Sequence, residues 1–144
     1  MLLSQTIYHS RCRPDLDARI VLGDVLSVSH SNNPKRGLTG GLAVLDDRFL
    51  QVLEGPGDAV EAMMLRLYRD DRHLDIRIVC TRPIGDRLFT DWSMASARLS
   101  DEMTATVARV FHDPFADADV ICGLLLAALP TQRRRPFQAN DSGP

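Results

Sequence analysis

Apolar residues recur with period two, then 3.6, then two again, and the order of those switches constrains this chain more than any other property. Residues 2–8 read as a first strand. In "RPDLDARIVLGDVLSVSHSNNP", Leu22, Val25, Leu26 and Ser29 fall at helical spacing, with Val21 and Val28 beside them. Gly23 weakens that helix by about 1 kcal/mol relative to Ala. Pro34 biases Asn33 away from the helical region, so the helix is expected to stop at Asn32 or Asn33. "GLTGGLAVLDDRFLQVLEGPG" then reads as two strands joined by a short polar turn at Asp46 and Asp47. The second helix is expected to open on Asp58 as N-cap, with Glu61 completing a capping box. Val60, Met63, Met64, Leu67 and Tyr68 form its apolar stripe. Residues 74–82 alternate as a strand, and "RLFTDWSMAS" is a further strand candidate.

The resulting order, β-α-β-β-α-β-β, is the α+β, ferredoxin-like split βαβ pattern plus one strand. Two helices pack on one face of such a sheet and leave the other bare. The sequence supplies a cover: "SDEMTATVARVFHD" opens on Ser100 as an N-cap and is amphipathic, and "FADADVICGLLLAAL" is a second helix. Residues 131–144 are polar, contain Pro and Gly, and read as a disordered tail. Within it Arg133, Arg134 and Arg135 suit an acidic partner, although a solvated tail is the simpler account.

With 144 residues the chain suits one domain and can bury a core without staples. A net charge of -2 gives no broad footprint for nucleic acid or a membrane surface. No run approaches the roughly 20 apolar residues of a membrane span, and "MLLSQTIYHS" has no basic region or cleavage site of a signal peptide. Cys12, Cys80 and Cys122 are odd in number and far apart, which fits a reduced, cytoplasmic protein. His9, His30, His73 and His112 have no second ligand at i+3 or i+4, so no metal is expected. No nucleophile elbow, phosphate loop or dinucleotide fingerprint is present. "GLTGG" lies within a strand pattern and marks a close backbone approach or a bulge. The chain is therefore not expected to be an enzyme.

What remains is a set of polar residues at awkward places. Tyr8 ends the first strand, Asn32 and Asn33 end the first helix, and Gln51 sits mid-strand among apolar neighbours. Arg66 lies one residue from Leu67, about 100° around the helix from the apolar stripe. Each has a bland explanation: a wet tyrosine hydroxyl, a helix terminus, a snorkelling arginine. Together they suit a different one. Both helices pack on the same sheet face, so polar groups from both can meet one cavity. Amides lining an apolar slot fit a flat heteroaromatic ring with carbonyls and an N–H.

The motifs "IYHS", "NNPKRGLTGGL", "FLQVLEG", "RDDRH" and "RLFTDWSM" occur in this order and at intervals that resemble the BLUF domains, the flavin-binding sensors of blue light. The likeness covers about residues 1–98 and touches every element derived above. It implies a BLUF domain over 1–98, a C-terminal helical extension over 99–130, and the tail at 131–144. It implies FAD, or another flavin such as FMN or riboflavin, bound non-covalently between the two helices. By position, Tyr8 matches the photochemical tyrosine and Gln51 the switching glutamine. Asn33 matches the asparagine that bonds the flavin, and Asn32 the adjacent polar position. Arg66 matches a basic position near a ring carbonyl, and Arg72 and His73 the "RH" pair. Ser10 and Ser29 match pocket-lining positions, and Trp92 and Met94 the signalling residues of the last strand.

The resemblance further implies electron transfer from Tyr8 to the photoexcited flavin, proton relay by Gln51, and an altered amide that shifts absorption to the red. The signal would leave through the last strand and the helices after Ser100. No length remains for a cyclase, phosphodiesterase or DNA-binding domain, so the expected output is self-association or a separate protein partner. One alternative is a ferredoxin-like binding module without photochemistry. Another is an acylphosphatase-type enzyme using Arg11 or Arg13, for which the glycine-rich cradle is missing.

Overall fold

The computed structural model describes residues 2–90 and 95–130, with backbone only for Ser27, Ser29, His30, Ser31 and Ala95. Its order is β1 (Leu3–Cys12), α1 (Ala18–Arg36), β2 (Thr39–Leu45), β3 (Arg48–Pro56), α2 (Gly57–Arg69), β4 (His73–Ile84), β5 (Ala95–Ser96), α3 (Asp101–Val110) and α4 (Ala118–Ala128). The strands form one sheet in the order β4-β1-β3-β2-β5. The first four are antiparallel, as in ferredoxin-like sheets, and the two-residue β5 joins β2 in parallel. The α+β expectation therefore holds.

Strand parity divides the molecule into layers, because successive side chains point to opposite faces. Tyr8, Leu42, Phe49 and Leu53 pack with Val21 of α1 and with Val60, Met64 and Leu67 of α2. Ile7, Ala43, Leu50 and Val52 pack with Val107 and Val110 of α3 and with Ile121 and Leu125 of α4. The C-terminal helices thus cover the second sheet face. Seven consecutive residues of β3 are buried, since that strand has a helical layer on each side.

Several local expectations need correction. α1 does not stop at Asn32 or Asn33 but runs through Pro34 to Arg36. A proline in a last turn removes one N–H without breaking the segment, and the stop comes from Gly37, at φ 71. Gly37 N–H bonds to Pro34 O and Leu38 N–H to Asn33 O, a Schellman closure. α2 begins at Gly57 after Pro56, with no side-chain cap, so the Asp58–Glu61 capping box does not form. Asp58 lies instead in the first turn, where its charge suits the helix dipole. Tyr68, assigned to the apolar stripe, is exposed, as is Val28 of α1. Of "RLFTDWSMAS", only Ala95–Ser96 is strand among the described residues, and residues 87–90 are not.

Other features follow the sequence. Asp46 and Asp47 turn the hairpin, with Asp46 at φ 56. Ser100 Oγ accepts from Met103 N–H at 3.2 Å and caps α3. The glycines of "GLTGG" mark a close approach: a Cβ on Gly40 would lie 2.0 Å from the Val52 carbonyl oxygen. β4 is irregular against β1, with register shifts on both sides of the Tyr8–His9 pair.

A buried polar relay ties the layers together. Glu54, fully buried in β3, accepts from Gln5 Nε2 at 2.7 Å and from the N–H groups of Leu88 and Phe89 at 2.8 and 2.9 Å. Gln5 Oε1 accepts from Arg82 Nε at 2.8 Å, and Arg82 Nη2 reaches Asp119 of α4 at 2.9 Å. Arg87 donates to Gly37 O at 2.7 Å, Thr39 Oγ1 at 2.9 Å and Glu54 O at 3.1 Å. The segment after β4 is thereby fastened to the end of α1 and to β3.

Candidate functional site

β1 and β3 place Tyr8 directly opposite Gln51, and β2 places Leu42 on the other side of Gln51. All three face α1 and α2. The Tyr8 hydroxyl donates to Gln51 Oε1, and both residues are buried. Phe49, Leu53 and Leu38 exclude water around them. In this setting burial first, and then the negative charge of Asp70, push the Tyr8 phenol well above its ordinary pKa. Tyr8 is therefore a neutral donor at any physiological pH.

A second polar pair lies one step along the same strands. Ser10, opposite Phe49, has its Oγ 3.0 Å from His73 Nδ1. The His73 ring packs on Phe49 with centroids 5.1 Å apart. Its Nε2 is buried and has no hydrogen-bond partner among the described residues. Burial holds the His73 pKa below its ordinary value, with Asp70 opposing the shift and Arg72 adding to it. Asn33 is also buried, at the end of α1, where Gly37 and Leu38 bond back to the last turn and fix its backbone.

The remaining candidates divide. Asn32 is half-buried beside Asn33, and Arg66 is exposed in the last turn of α2. Arg72 is committed to Asp70, with Nε 2.9 Å from Oδ1 and Nη2 2.7 Å from Oδ2. That fork depresses the Asp70 carboxyl and raises Arg72 further, so the pair is ionised. Arg72 Nη1 also lies 4.0 Å from Asp24, which links α1 to the turn between α2 and β4. Trp92, Met94 and the side chain of Ser29 lie outside the described residues.

Sequence reasoning overlooked Glu54, Gln5 and Arg82. The signal available was a carboxylate inside a buried strand run, "LQVLEG", which has to find donors somewhere.

Gln51 and Asn33 each carry one acceptor and two donors, and His73 keeps a ring nitrogen in reserve. This donor set, within an apolar layer, fits a planar ring with carbonyls and an N–H on its edge. The isoalloxazine of a flavin is such a ring, so the residues present fit the cofactor that the resemblance implied.

Comparison with known proteins agrees. The chain is similar to the photoactivated adenylate cyclase subunit beta of Euglena gracilis, at 34% identity over 90 residues, 62% of this chain and 10% of that protein. It thus spans about a tenth of the length of the curated relatives it matches. The dark-state structure of the BLUF protein BlrB superposes with a TM-score of 0.77 at 27% identity, covering 89% of this chain and 98% of that one. BlrP1 of Klebsiella pneumoniae, solved with FMN and cyclic diGMP, gives 0.65 at 28% identity over 76% of this chain and 30% of that one. Residues 3–95 match the BLUF family, described as sensors of blue light using FAD. From strand order to buried amides and sequence match, the chain belongs to the BLUF family of flavin-binding blue-light sensors.

Proposed function

We propose that this protein senses blue light through Tyr8 and Gln51. The observation that carries this reading is the buried hydrogen bond from the Tyr8 hydroxyl to Gln51 Oε1. A bound flavin, FAD by preference with FMN or riboflavin as substitutes, supplies the blue-light absorption and the electron acceptor. Asn33 and Gln51 orient the ring through their amides, with Asn32, Ser10, Ser29, Arg66, Arg72 and His73 around it. Phe49 and Leu53 keep the layer dry, so a hydrogen bond left unmade there is costly.

Loss of an electron makes the Tyr8 hydroxyl a strong acid, and its hydrogen-bond partner is Gln51 Oε1. With a flavin bound, Gln51 would take this proton on Oε1 and give one from its nitrogen to the flavin, which holds the electron. When the electron returned, Gln51 would take a proton back from the flavin and give one to the Tyr8 phenoxyl, which becomes phenol again. Atoms and electrons balance, and the net change is a Gln51 side chain that is rotated or tautomerised. A few kcal/mol separates such arrangements in a dry pocket, enough to hold an altered state and let it relax in the dark.

The output route is proposed to be Trp92 and Met94, then the C-terminal extension of residues 99–130, acting on a second copy or a separate protein partner. α3 and α4 suit this role because they rest on Leu50 and Val52, the neighbours of Gln51 on the opposite sheet face. The three cysteines carry no disulfide, which favours the cytoplasm. No helix among the described residues is long and apolar enough to cross a membrane.

The test is optical. Tyr8→Phe and Gln51→Leu should each retain yellow, flavin-loaded protein and lose the light-induced red shift of the blue band. A normal shift in either variant would defeat the assignment.

A further inference from the structure

A cleft of about 460 Å³ opens on the sheet face away from Tyr8, between the strands and the end of α3. Three adjacent strands each send one arginine to it: Arg11 from β1, Arg48 from β3 and Arg77 from β4. Among the described residues Arg48 and Arg77 form no ion pair. Arg11 approaches Asp47 and Asp75 only to 3.9 and 3.8 Å, beyond hydrogen-bond reach. Asp113, which also lines the cleft, spends Oδ1 on the Phe115 N–H at 2.9 Å. Asp75 is an exposed residue at its rim.

One of the three cationic groups is held against a ring. The Arg48 guanidinium carbon lies 5.1 Å from the centre of the Phe111 ring. His9 meets the same ring edge-on, with centroids 5.3 Å apart. His9 is 7% exposed, and its Nδ1 has no hydrogen-bond partner among the described residues. Its pKa is lowered first by burial and then by the charges of Arg48, Arg77 and His112. A buried imidazole and one arginine from each of three adjacent strands thus line the same cleft.

We propose that this cleft binds a small phosphate-bearing molecule, with phosphoryl oxygens held by Arg48, Arg77 and Arg11. Guanidinium forks from three strands match an anion with oxygens in several directions, whereas a carboxylate offers two in one plane. The volume is that of a small-molecule site. The site lies apart from the flavin layer, and His9 sits next to Tyr8 on β1.

The test uses the full chain with flavin bound and inorganic pyrophosphate as the probe, followed by calorimetry at constant ionic strength. Saturable one-to-one binding is expected, with chloride at equal ionic strength giving none. Arg77→Gln and Arg48→Gln should each weaken it at least tenfold, with an unchanged flavin spectrum as the sign of an intact fold. Binding that survives both substitutions, or no binding to the unaltered protein, would overturn the proposal. So would binding only to a phosphopeptide or to anionic vesicles and not to pyrophosphate.

Discussion

Replacing Glu54 by Gln tests the buried relay with almost no change in volume. In the native chain every group facing the carboxylate is a donor: Gln5 Nε2 at 2.7 Å and the N–H groups of Leu88 and Phe89 at 2.8 and 2.9 Å. A glutamine amide keeps one oxygen, which can still accept from Leu88 and Phe89. Its new NH₂ then faces the NH₂ of Gln5. Turning the Gln5 amide over cures that clash and creates another, because Arg82 Nε now faces a donor in place of Gln5 Oε1. The mismatch moves along the relay but stays within it. One hydrogen bond to a charged group is lost, about 1.5–3 kcal/mol, and one buried donor is left unmet, about 1–3 kcal/mol. These overlap, so Glu54→Gln should cost about 2–4 kcal/mol, or roughly 5–15 °C in a chain of this size. Urea titration and thermal unfolding read both. Adding Gln5→Glu returns a carboxylate to the middle of the relay, where it accepts from the amide at position 54 and from Arg82. The double exchange should recover most of the loss. A single variant within about 0.5 kcal/mol of the native chain, or a double variant no better than the single, would refute the reasoning.

Two further expectations concern stability. His73 has a lower pKa folded than unfolded, so the unfolded chain takes the proton first and stability falls as pH drops below about 6.5; His73→Gln should make denaturation midpoints fall less steeply between pH 7 and 5, and an unchanged slope would count against a buried, neutral ring. The depressed Asp70 carboxyl acts in the same direction but at more acid pH. Gly40→Ala should destabilise by about 3 kcal/mol or more, because its Cβ would meet the Val52 carbonyl at 2.0 Å and β3 has no free side to retreat to; a midpoint close to that of the native chain would show the strands can part there.

Much of the fold was legible because it rests on period and punctuation. The hairpin at Asp46–Asp47, the Ser100 cap and the two helices over the second face follow from local pattern. The errors came where two local signals competed. Pro34 argued for an earlier stop of α1, but Gly37, four residues beyond the last expected position, could supply the left-handed closure, and it did. Asp58 looked like a cap, yet the helix starts one residue before it, directly after the bend at Pro56. Tyr68 had the right spacing for the stripe, but its side chain is exposed. In the site, Gln51 stood out as a polar residue in a buried strand, and the β1–β3 register that sets Tyr8 against it depends on pairing across 43 residues. Glu54 gave the same kind of signal three residues on. Its donors come from β1 and from the backbone of residues 88 and 89, which no local pattern reveals.

The central position of β1 has a consequence for how the protein is made. Its two neighbours are β3 and β4, and the ladder with β4 pairs Leu3 with Ile84. On a ribosome, that partner emerges about 4–16 s after β1 at usual translation rates. Through that interval Ile7, Tyr8 and the rest of the strand are out in the cytosol with one or both edges bare. A strand that ends with a neighbour on each edge thus begins with open edges able to pair with other chains.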